Sequence, residues 1–184
     1  PIDSPAPLGE IESKTFIYTS AKKNLQATNY SDVKKFAEEL DTFSSDLNDF
    51  YARDEDSSGS LNRKSTDLSI PNHKHRVVND IAISKGGAHS GYPVMWINFD
   101  PDSTKIAQNP LNSWTLWHEV GHNAAESPFA IDGSGEVVNN LLGLYMQDKH
   151  LKIMNRVERS LRIVKDQIES ESGNVWGAVG GGIR

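Results

Sequence analysis

The 184-residue chain contains no cysteine, which removes disulfides, thiolate metal ligands and cysteine nucleophiles together. Any metal site must therefore be built from histidine and carboxylate. The compartment stays open, because exported bacterial proteins often lack cysteine as well. Long apolar runs are also missing: nothing approaches the roughly 20 residues of a membrane span. With 36% hydrophobic residues and a mean hydropathy of −0.54, a soluble protein with much polar surface or loop is expected. Cations are short relative to anions, 19 Lys and Arg against 25 Asp and Glu for a net charge of −6. With no basic stripe on view, nucleic acid is excluded as the main partner. An initiator methionine and a basic-then-apolar leader are absent from Pro1-Ile-Asp-Ser-Pro-Ala-Pro7. The expectation is a mature or excised piece of a longer chain, without its own signal peptide. Its length suits one domain with one core over 1–184, an extended lead-in over 1–13 and a flexible or truncated glycine-rich tail over 171–184.

What is present centres on Trp114-Thr-Leu-Trp-His-Glu-Val-Gly-His-Asn123. In a helix, His118 and His122 lie one turn apart on one face, so both imidazoles reach one ion. Neutral imidazole suits zinc, and a catalytic zinc takes three protein ligands and keeps a fourth position for water. Glu119 is too close along the helix to chelate comfortably beside both histidines, so it is expected to contact that water as general base. The alternative is a structural helix with two partnered histidines. Trp114, Leu116, Trp117 and Val120 supply the apolar surface of a half-buried helix, and Asn112 or Ser113 offers an N-cap after Pro110.

The third ligand is sought downstream. Glu136 opens the apolar run Val137, Val138, Leu141, Leu142, Leu144 and Tyr145, a helix able to pack against the first, whereas its rival Glu126 sits in a patternless stretch before a proline. Rigid support favours Glu136. Asn140, one turn further on the same face, is expected to hydrogen-bond a ligand and fix its orientation. A developing oxyanion needs a donor, and Tyr145, Tyr92 and His89 are candidates not separated by sequence.

Elsewhere, Lys14–Thr19, Arg76–Ser84 and Val94–Phe99 carry the β-branched and aromatic composition of strands. The strand containing Val94, Met95, Trp96 and Ile97 has two readings. It is either an edge that aligns an extended peptide substrate, or a core strand with Met95, Ile97 and Phe99 inside. Val33, Phe36, Leu40, Phe43, Leu47 and Phe50 form one helical stripe after Ser31, and a last amphipathic helix is expected over 151–170. Residues 53–72 are polar and aperiodic, a long loop. Its Asp54-Glu55-Asp56 lacks calcium-loop spacing, and His73-Lys74-His75 reads better as surface than as a metal pair. The order of elements predicts an α+β fold, with an N-terminal mixed sheet and helices followed by a mainly helical C-terminal half.

Trp117-His-Glu-Val-Gly-His-Asn123 and Gly135-Glu-Val-Val-Asn-Asn-Leu-Leu-Gly-Leu-Tyr145, with Ser90-Gly-Tyr-Pro93 beside them, resemble the enhancin-like zinc metallopeptidases over roughly residues 14–150. These are gluzincins that include mucin-degrading bacterial proteases. The resemblance implies a zincin-like fold and one Zn2+ per chain on His118, His122 and Glu136, with Glu119 catalytic. It further implies a secreted or cell-surface bacterial enzyme that cleaves mucin-type O-glycoproteins. A zinc-stabilised glycoprotein-binding domain with weak or lost activity is the alternative, and a cell-wall amidase a more distant one. Oligomeric state is not readable from the sequence.

Overall fold

The computed structural model describes residues 4–26, 30–51, 74–80, 82–97, 109–125 and 133–153, together with 158 and 162. Among the described residues, five strands form one mixed sheet: β1 (Leu8–Glu12), β2 (Phe16–Ala21), β3 (His75–Asp80), β4 (Ala88–His89) and β5 (Val94–Ile97), in the order β1-β2-β3-β5-β4. β2, β3 and β5 run parallel, and the two edge strands are antiparallel to their neighbours. Among the described residues, four α-helices of five residues or more accompany the sheet: α1 (Lys22–Gln26), α2 (Tyr30–Phe50), α3 (Trp114–Ala124) and α4 (Gly135–Met146). The α+β expectation holds.

The stripe along α2 buries Phe36, Leu40, Phe43 and Leu47 against Phe16, Tyr18 and Val77 of the sheet and Trp117, Val120, Leu142 and Met146 of α3 and α4, in one continuous core. Its outer face carries the Lys34–Glu38 pair, exposed on both sides and therefore worth little, and the Lys35–Glu39 pair, whose carboxylate is largely buried. Asp41 ties α2 to the β1–β2 turn, accepting the backbone N–H of Thr15 at 2.9 Å and its hydroxyl at 2.7 Å.

Two expectations about strands change. β1 forms within the proline-led lead-in, because β2 offers it a full ladder from Leu8↔Ala21 to Glu12↔Ile17. β5 is not an edge: β4 covers it through Ala88↔Trp96 and His89↔Met95. Nor is its buried face the one read from sequence, since Val94 and Trp96 point inward while Met95 and Ile97 are half-buried. Phe99, Glu126, His73 and Asp54–Asp56 lie outside the described residues, as does most of the helix expected over 151–170. Leu151 instead ends a π-helical turn, Gln147–Leu151, that continues α4 and stops at Lys152 in the left-handed region (φ 53°).

Candidate metal centre

Local sequence explains how α3 is placed. Asn109 caps a short 3-10 turn, Pro110–Asn112, by accepting the Leu111 N–H at 2.8 Å, and Ser113 then caps α3 by accepting the Leu116 N–H at 3.3 Å. Buried Trp117 anchors the same turn, donating its indole N–H to the Pro110 carbonyl at 2.8 Å. Leu116, Trp117, Val120, Gly121 and Ala124 face the core, so His118, Glu119 and His122 fall on the opposite, half-buried side.

α4 crosses this helix at close range because two glycines permit it. A Cβ on Gly121 would meet Asn139 Oδ1 at 2.8 Å and Leu142 Cδ2 at 2.9 Å, and one on Gly143 would meet the Trp114 ring at 2.6 Å. Tyr51, just past α2, adds a bond from a third element. Its hydroxyl donates to Asn139 Oδ1 at 3.0 Å and lies 3.5 Å from the Gly121 carbonyl. The approach brings Glu136, in the first turn of α4, onto the histidine pair.

His118 Nε2 lies 3.0 Å from Glu136 Oε2, His122 Nε2 lies 3.5 Å from Glu136 Oε1, and the two Nε2 atoms are 3.1 Å apart. The rings stand nearly perpendicular, at 87°. A tetrahedral zinc with bonds of about 2.0–2.1 Å separates its ligand atoms by about 3.3 Å, so this triangle fits the ion. A structural ion pair accounts for it less well: the Glu136 side chain is 64% exposed, where pairing with histidine is worth little. Burial, then the neighbouring His118, hold the His122 imidazole below its ordinary pKa, against the opposing pull of Glu136 and Glu119. That keeps His122 in the neutral form a metal requires. His118 Nδ1 is buried without a hydrogen-bond partner among the described residues.

Other sequence candidates fall elsewhere. Tyr145 lies nine residues beyond Glu136, half a turn round and about 13 Å along the helix. It packs on Phe50 at 5.5 Å and accepts a hydrogen bond from Lys149 at 2.9 Å, and Lys149 in turn pairs with Asp46 of α2 at 2.6 Å. It belongs to the α2–α4 contact and not to the metal site. His89 is consumed locally: Nδ1 donates to the Ser90 carbonyl at 2.9 Å, which leaves Nε2 to accept from Ser84 at 3.2 Å. Asn140 is buried within α4. Asn139, one position earlier, lies against Gly121 of α3. Tyr92 is 61% exposed, on the Ser90–Pro93 loop, which contains a cis Tyr92–Pro93 bond. This loop is held to α3 by Asn123, the residue after His122. Sequence reasoning passed over Tyr51, Asn139 and Asn123. Only Asn123, adjacent to the motif, carried a local signal.

Residues 2–178 match the family model of Peptidase M60, enhancin and enhancin-like. The chain is 57% identical over its whole length to accessory colonization factor AcfD of Vibrio cholerae, and 51% identical to the putative lipoprotein YghJ of Escherichia coli. It spans 12% of the length of each. Among solved structures, the ZmpB metallopeptidase of Clostridium perfringens superposes with a TM-score of 0.61 at 16% identity, covering 86% of this chain and 30% of that one. The M60 catalytic domain of ZmpC from the same organism, in complex with the sialyl T antigen, superposes with a TM-score of 0.58 at 18% identity, covering 79% and 27%.

Proposed function

Since the chain belongs to the enhancin-like M60 peptidases, we propose that it forms the catalytic core of a zinc endopeptidase for mucin-type O-glycosylated proteins. His118, His122 and Glu136 are its metal ligands and Glu119 its general base. The observation that carries this reading is the convergence of two histidine nitrogens and one carboxylate from facing helices on a single point.

A bound zinc supplies Lewis-acid activation of water and of the scissile carbonyl near neutral pH. The chain's own residues do the rest. Glu119, one residue along α3 from His118 and close enough to influence the charge on His122, takes a proton from the attacking water and returns it to the leaving amine. β4 ends the sheet beside α3, so its outer edge takes an extended peptide by strand addition. Tyr92 is the remaining donor candidate for the oxyanion, on the loop pinned to α3.

The glycan part of the reading draws on the sialyl T antigen held by the ZmpC domain. Placement at the cell surface or outside it draws on the lipoprotein and colonization-factor relatives. The whole chain, 1–184, acts here as one domain of a longer protein. The test is cleavage of an O-glycosylated mucin by wild type beside Glu119→Gln, with zinc content measured in both. Cleavage by wild type alone, with zinc in both, upholds the reading. Binding of the mucin by both without cleavage replaces it with a glycoprotein-binding domain.

A further inference from the structure

β4 is only two residues long, with one neighbour, β5, on one side. Such a short strand has little pairing of its own to hold its position. Its exit is held instead by a side chain of the metal helix. Asn123 Oδ1 accepts the Gly91 N–H at 3.0 Å while Asn123 Nδ2 donates to the Gly91 carbonyl at 2.7 Å. A carboxamide presents an acceptor and a donor side by side, as a peptide unit does, so it engages both backbone groups of one residue as a neighbouring strand would. Gly91 has φ +130°, a conformation that L side chains rarely adopt.

We infer that Asn123 is a positioning residue for the substrate: it fixes the β4 edge and the Ser90–Pro93 loop relative to His122, and so sets how a bound peptide lies across the metal. This rests on the peptidase reading above. The alternatives are a helix-end asparagine of no consequence, or one that serves only to hold the metal helix in shape. The geometry favours the clamp. Both hydrogen bonds run to a residue 32 positions away on a different element, and neither reaches a ligand histidine. The donor and acceptor requirements are also strict: aspartate keeps only the acceptor, and alanine keeps neither.

The experiment compares wild type, Asn123→Ala and Asn123→Asp in three readouts. These are zinc stoichiometry, hydrogen exchange over residues 88–93 with zinc bound, and steady-state cleavage of a synthetic threonine peptide bearing the sialyl T antigen. For Asn123→Ala, zinc stays stoichiometric, exchange over 88–93 accelerates, and KM rises about tenfold while kcat stays within about twofold. Asn123→Asp falls between the two. Unchanged exchange and KM, or loss of zinc in Asn123→Ala, overturns the inference; so does a fall in kcat at constant KM. If wild type neither cleaves nor binds the glycopeptide, the peptidase reading has failed. Exchange over 88–93 then decides the clamp alone, faster exchange upholding it and unchanged exchange overturning it.

Discussion

Glu119 and Glu136 are carboxylates assigned opposite tasks, and single substitutions separate them. Glu136→Ala is expected to abolish stoichiometric zinc binding, because two histidines leave the site one ligand short. Glu119→Gln keeps zinc and loses about 10²–10⁴-fold in kcat, the usual weight of one proton-transfer group. Elemental analysis beside peptide hydrolysis checks both. Asp41 gives a prediction in stability. Burial raises its pKa, but hydrogen bonds from the Ser13 and Thr15 hydroxyls and the Lys14 and Thr15 amides outweigh that and hold it below the ordinary carboxylate range. Its stabilisation is therefore complete above the unfolded value near 3.8 and is lost as pH falls through the lower folded value. Asp41→Asn lowers stability at pH 6 by about 1–2 kcal/mol and flattens the decline below about pH 4. Urea midpoints from pH 6 to pH 2 measure it. At this scale the placement of His118 and His122 on one side of α3 was legible, because four-residue spacing dictates a shared helix face. The role of Asn139 was not, since adjacent residues differ by about 100° round a helix and only the position of α3 decides which of them meets Gly121. Tyr145 was misplaced although its nine-residue offset from Glu136 already set it on the far side.

Between elements, the α3–α4 spacing sets the triangle of His118, His122 and Glu136. Gly121→Ala inserts a methyl where Asn139 and Leu142 already stand at 2.8 and 2.9 Å, forcing the helices apart. The expected cost is about 1–3 kcal/mol of stability, with zinc affinity lowered about 10–100-fold as the histidines and Glu136 move out of register. Chelator competition titration reads the affinity. Periodicity made α2, α3 and α4 visible, and composition made β2, β3 and β5 visible. Strand order left no such trace. β4 is too short to show a pattern, and without it β5 reads as an edge. β1 exists because β2 pairs with it, a long-range cause that no window of local residues contains.

For the whole molecule, the described residues carry one core, and an ion held as proposed by residues of both α3 and α4 would join two elements that enclose it. Metal binding then stabilises the fold by mass action, by about 4 kcal/mol when free zinc is a thousandfold above Kd. Chelation is expected to lower Tm by about 8–16 °C for a chain of this size. The α+β class was readable from the order of elements. The proposed substrate was not, because O-glycan recognition leaves no mark in composition or spacing and entered through family resemblance alone. The most direct measurement of the central claim is zinc content of the purified chain, wild type beside Glu136→Ala and Glu126→Ala. One zinc per chain in wild type and Glu126→Ala, with none in Glu136→Ala, is the predicted result. Zinc retained by Glu136→Ala, or lost from Glu126→Ala, would contradict it.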